Sequence, residues 1–131
     1  MTGDSMKVYI AGSWVDREKI KDIMDKMPHS ITVTEDWTVH DIFDAPTSML
    51  RSMHGIEEAE VFIMFHDGNE TSGKMFELGY AEALNKDIIL CNVINPSNIF
   101  IRGNMNDKES SWTFLDSEDL IKYLRRKYQC D

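Results

Sequence analysis

The sequence predicts a single α/β domain on a mainly parallel five-stranded sheet with helices on both faces, and three observations carry that reading. Strand-like and helical segments alternate along the chain, the pattern of parallel strands joined by right-handed crossovers. Two of the strand-like segments, residues 61–65 (VFIMF) and 88–94, are apolar runs, as expected of central strands covered on both sides. At 131 residues, with 42% hydrophobic and 10% aromatic residues, the chain has the length and composition of one domain with its own core.

The elements follow in order. Residues 1–6 read as a disordered or extraneous start, and 7–131 as the domain. Residues 7–11 (KVYIA) form a β-branched and aromatic run that ends at Gly12. Val15, Ile20, Ile23, Met24 and Met27 recur at helical spacing, and Pro28 closes that helix. Residues 31–34 read as a second strand. Pro46 and Thr47 open a second helix, with Met49, Leu50, Met53 and Ile56 as its expected buried side. After the strand 61–65 comes a polar loop, 66–72, then a helix over about 73–85. Beyond the strand 88–94, the Asn- and Ser-rich stretch 95–111 is expected to be an irregular loop. A short last strand, 113–115, precedes a helix capped by Ser117, whose apolar stripe is Leu120, Ile121, Leu124 and Tyr128.

Composition narrows the function. Fourteen basic residues against twenty-three acidic ones give a net charge of −9, which repels a nucleic acid polymer. A small anion remains acceptable, since backbone N–H groups can hold a phosphate on an acidic protein. No apolar run approaches the ~20 residues of a membrane span, and no secretory signal opens the chain, so a cytoplasmic, membrane-free protein is expected. Cys91 and Cys130 read as reduced thiols. The four histidines are scattered without ligand spacing, so no metal and no cofactor are expected. The 73–85 helix carries two apolar sides. Met75, Leu78 and Gly79 would face the sheet, while Phe76, Tyr80, Ala83 and Leu84 would need a homo-oligomer contact or, alternatively, burial under the long loop.

Ligands of open parallel sheets bind beyond the carboxyl ends of the strands, where strand order reverses. Residues 12–14 and 67–73 compete for that position. Residues 68–74 match the G-x-x-x-x-G-K part of a phosphate-binding P-loop, but Met75 stands where a hydroxyl must ligate Mg²⁺, and Glu70 puts an anion among the phosphates. The same segment places Glu77 early in a helix, where the N-terminal dipole favours a carboxylate. A carboxylate in a cleft can attack an anomeric carbon and form a covalent glycosyl-enzyme.

The chain resembles the nucleoside 2-deoxyribosyltransferase family, which includes 2′-deoxynucleoside 5′-monophosphate N-glycosidases. Residues 8–13 (VYIAGS) and 73–81 (GKMFELGYA) carry the resemblance, joined by 56–61 (IEEAEV) and 85–88 (NKDI). It implies a flavodoxin-like (Rossmann-like) sheet, Glu77 as the catalytic carboxylate and Tyr9 as the tyrosine that orients it. It further implies that Gly12 and Ser13 help hold a 5′-phosphate, that Ser72 and Gly73 close that pocket, and that Asp36 and Trp37 contact the base. The substrate would be a small nucleoside or nucleotide. Ser52 stands where the family usually has an Asp that helps protonate the leaving base, and a serine hydroxyl is no acid near neutral pH. The proton would then come from Asp67, Glu70 or water. Alternatively, Ser52 marks a nucleotide-binding module without turnover, and the P-loop-like segment leaves a third, less favoured reading.

Overall fold

The computed structural model describes residues 6–40, 44–66, 68 and 71–128. Its five strands are β1 (Met6–Ala11), β2 (Ile31–Val33), β3 (Val61–Phe65), β4 (Asp87–Cys91) and β5 (Thr113–Leu115). All neighbours pair in parallel, in the order β2-β1-β3-β4-β5, the flavodoxin-like arrangement. The order reverses between β1 and β3: from β1 the chain steps outward to β2, then returns to the opposite side.

Side-chain alternation along the strands splits the core into two layers. Val8, Ile10, Val61 and Ile63 face α1 (Arg17–Asp25) and α5 (Leu120–Tyr128), which contribute Ile20, Met24, Leu120 and Leu124. Tyr9, Ala11, Phe62 and Met64 face α2 (Ala45–Glu58), α3 (Ser72–Ala83) and α4 (Ile99–Asn106), which contribute Ile56, Leu78, Ala81 and Ile101. Every residue of β3 is buried, as its continuous apolar run requires. Each such side chain contributes about 1.5–3 kcal/mol relative to exposure.

Several helix details depart from the sequence reading. Val15 lies in a 3-10 turn, Trp14–Asp16, ahead of α1 and is 74% exposed, so the apolar spacing begins only at Ile20. In α2, Met49 and Leu50 are exposed, and the helix is anchored instead by Gly55 and Ile56 at its C-terminal end. Residues 95–111 are not wholly irregular. Asn98 accepts hydrogen bonds from the N–H groups of Phe100 and Ile101 and caps α4. Ser117 caps no helix: a 3-10 turn, Ser117–Asp119, precedes α5, and Ser117 exchanges hydrogen bonds with the Asn92 side chain. Gly79 is exposed and a methyl group there would meet nothing, so tight packing on the sheet is not its role. α3 ends where Asn85 adopts φ 60°, with Asn85 N–H donating to Glu82 O and Lys86 N–H to Ala81 O, a left-handed turn that asparagine tolerates.

No helix among the described residues is long and apolar enough to cross a membrane. Cys91 is a buried free thiol whose pKa burial pushes up to about 12. Of the expected start at residues 1–6, Met6 already belongs to β1, while residues 1–5, like Cys130, lie outside the described residues.

Candidate active site

A cavity of about 330 Å³ opens where the strand order reverses, beyond the carboxyl ends of β1 and β3. Its walls come from four stretches: β1 and the turn after it, the segment after β2, α2, and the start of α3. Sequence-distant groups meet there because each stretch is tied to its own strand or helix.

Tyr9 and Glu77 are brought together. Tyr9 is buried on β1, its ring stacked on Phe62 with centroids 6.0 Å apart, and its hydroxyl donates to Glu77 Oε2 at 2.9 Å. Ser52, on α2, stands beside both groups, and its hydroxyl favours the ionised carboxylate. Burial of Glu77 raises its pKa above the usual carboxylate range, and the hydroxyls of Tyr9 and Ser52 offset that only in part. The expectation that the helix dipole governs this carboxylate is thus corrected. Glu77 lies in the second turn of α3, past the reach of the N-terminal charge, and desolvation wins. The Tyr9 phenol is pushed well above its ordinary value, first by burial and then by the charge of Glu77, so it remains a donor.

Ser13 and Gly12 line the cavity on the β1 side. Ser13 is buried, and its hydroxyl oxygen has no hydrogen-bond partner among the described residues. Gly12 has a packing reason to be glycine, since a methyl group there would sit 2.1 Å from Ile20 Cδ1. On the opposite side, a methyl group at Gly73 would meet nothing within 4 Å, leaving the backbone there open to a ligand. Ser72 is exposed and off the cavity wall; Thr71 lines it instead, and its hydroxyl accepts from Lys74 N–H to cap α3. Lys74, the lysine of the P-loop-like run, is buried with Nζ 3.3 Å from His66 Nδ1.

Trp37 lines the cavity and is fixed by donating Nε1–H to the Ile10 carbonyl at 2.7 Å. Its ring tilts against Trp14, with centroids 6.4 Å apart, and the Arg17 guanidinium sits 4.6 Å above Trp14. Asp36 does not join its neighbour on the wall. It pairs with Lys21 Nζ at 2.7 Å and accepts from Thr38, roles that explain its lowered pKa despite partial burial. Asp67 and Glu70, the expected proton sources, lie outside the described residues.

Four groups on the wall were not anticipated from the sequence: Glu35, His40, Ser48 and Arg51. Only their position after β2 and along the cavity side of α2 could have pointed to them. Glu35 Oε2 is sealed from solvent and lies 2.9 Å from His40 Nε2, an ion-pair approach without hydrogen-bond alignment among the described residues. Among the described residues, no three His, Cys, Asp or Glu side chains come together to hold a metal ion.

No protein-family model matches the chain, and no curated protein matches it. Among solved structures it is similar to the Clostridium botulinum CMP N-glycosidase BcmB, with a TM-score of 0.60 and 20% sequence identity over 90% of this chain and 97% of that one. At that identity the likeness establishes a shared fold across nearly the whole length of both chains.

Proposed function

We propose that the protein cleaves the N-glycosidic bond of a nucleoside or nucleoside 5′-monophosphate through a covalent glycosyl-Glu77 intermediate, which then passes to another base or to water. The observation that carries this reading is the Tyr9–Glu77 hydrogen bond inside a cavity at the strand-order reversal. A carboxylate held by the Tyr9 hydroxyl, with Ser52 beside it, keeps one geometry and presents a lone pair to a bound sugar. The family resemblance of the sequence and the fold shared with a CMP N-glycosidase support the same substrate class.

Within this reading, the buried and unpartnered Ser13 hydroxyl and the open backbone at Gly73 hold the 5′-phosphate from opposite sides. Trp37 offers a flat apolar wall to the base. The reaction uses no metal or cofactor. The protein is taken to work in the cytoplasm and to self-associate through the exposed side of α3.

The nucleophile is tested by incubating Glu77→Ala with a panel of nucleosides and 5′-monophosphates and following free base by chromatography. Wild type should release base and form an adduct on the Glu77 peptide, visible by mass spectrometry after acid quench. Base release by the variant at the wild-type rate would reject the assignment. The second reading is a nucleotide-binding module without turnover, favoured by Ser52 in place of an acid. It expects thermal stabilisation by nucleotides and no base released at high protein concentration.

A further inference from the structure

With serine at position 52, the proposed reaction lacks a visible proton source. A departing base takes the electron pair of the C1′–N bond and needs a proton to leave as a neutral molecule. The Ser52 hydroxyl stands beside Glu77 and Tyr9, and a hydroxyl of that kind does not act as an acid near neutral pH. Tyr9 commits its proton to Glu77, and its raised pKa keeps it there. Arg51 does not give up its proton. Lys74 is buried against His66. Among the described groups on the cavity wall, Glu35 and His40 are left.

Their geometry suits the task. Glu35 begins beside the ring that orients the nucleophile: a methyl group at Gly55 would lie 2.9 Å from Glu35 Cβ and 3.0 Å from Tyr9 Cδ1. Glu35 also contributes to the field felt by the Tyr9 hydroxyl. Its Oε2 is out of contact with solvent and lies 2.9 Å from His40 Nε2, an ion-pair approach that is not aligned as a hydrogen bond among the described residues. The imidazole is more open, with 37% of its side chain exposed against 17% for Glu35, and both line the cavity that contains Glu77. A carboxylate on one ring nitrogen fixes the orientation of an imidazole and compensates its charge, while the other nitrogen serves as donor.

We infer that His40 is the general acid for the departing base and that Glu35 is the residue that positions it. The inference rests on the glycosidase reading. As the C1′–N bond breaks, its electron pair moves onto the base and a Glu77 oxygen bonds to C1′. One proton passes from Nδ1 of the His40 imidazolium to the base, and Nε2 stays paired with the Glu35 carboxylate. When water later attacks C1′, Glu77 leaves as a carboxylate and the water's proton restores the imidazolium. Atoms and charge balance over the two halves.

The test compares two leaving groups. One substrate is whichever ribo- or deoxyribonucleoside 5′-monophosphate the wild type cleaves best; the other is the 4-nitrophenyl glycoside 5-phosphate of the same sugar, whose phenolate leaves without a proton. His40→Asn should lower kcat on the nucleotide by about 100-fold or more, with KM within about threefold, and lower nitrophenolate release by less than about threefold. Retained nitrophenolate release shows that the variant is folded. Glu35→Gln should give the same contrast with a smaller loss, about 10-fold. Equal losses on both substrates, no loss on the nucleotide, or the contrast arising in Asp67→Asn instead would overturn the assignment while leaving the glycosidase reading intact. A wild type that releases neither base nor nitrophenolate overturns both.

Discussion

Glu77 meets its cavity with the Tyr9 hydroxyl attached at 2.9 Å and Ser52 beside it, yet burial still raises its pKa. The sign has two consequences. In the proposed reaction attack requires the ionised form, so base release should decline on the acid side at a pH above the usual carboxylate range, and a pH–rate profile of kcat/KM checks this. Tyr9→Phe removes a donor that favours the ionised form, so that limb should move to higher pH while the rate falls about 10-fold. A carboxyl group raised in the folded state binds its proton more tightly there than in the unfolded chain. Its charged form therefore opposes folding above the ordinary carboxylate pKa, and the penalty disappears as acid protonates it in both states. Glu77→Gln should accordingly raise the melting temperature by about a few degrees at pH 7 and leave it unchanged near pH 3. The family resemblance made the pair legible, since its matching segments cover Tyr9 on β1 and Glu77 in the helix after β3. Glu35 and His40 were not, because nothing in T-E-D-W-T-V-H tells which side chains turn inward. There Asp36 turns to Lys21 while its neighbour Glu35 enters the cavity.

At the scale of elements, α2 shows how a helix can be read correctly as a helix and wrongly as a surface. Its apolar residues Met49 and Leu50 suggested a buried stripe, but Leu50 is 62% exposed. The helix approaches the sheet through Gly55, where a side chain would strike Glu35 and the Tyr9 ring. Gly55→Ala should cost about 1–3 kcal/mol in urea unfolding, as overpacking does, and should lower base release beyond that stability loss because it displaces Tyr9. α4 was hidden for a different reason. Asparagine serves both in loops and as a helix cap, and the eight residues from Ile99 to Asn106 are too few to show a clear period. The strands were easier: β3 and β4 are buried on both faces, and their apolar runs follow from that alone.

For the molecule as a whole, alternation of strand and helix was enough to read a parallel sheet, and the strand order follows from the family resemblance rather than from any residue pattern. The second apolar side of α3 is exposed at Phe76 and Leu84, whereas Tyr80 packs against the core and its hydroxyl donates to Glu57. Phe76 is 57% exposed and stacks on Tyr80 at 6.3 Å, with Leu84 exposed further along. A second copy of the chain is the proposed cover, so Phe76→Glu should convert an oligomer to monomer in size-exclusion chromatography with light scattering. A wild type that already elutes as a monomer would remove the proposal. The cavity drawn from four separate stretches carries a last consequence. None of Tyr9, Glu35, Ser52 and Glu77 is near another in sequence, and each reaches the cavity only when its own strand or helix is docked. Chemistry at this centre is therefore a collective property of the finished sheet: a half-assembled chain, or a fragment lacking any one stretch, would hold no fraction of it.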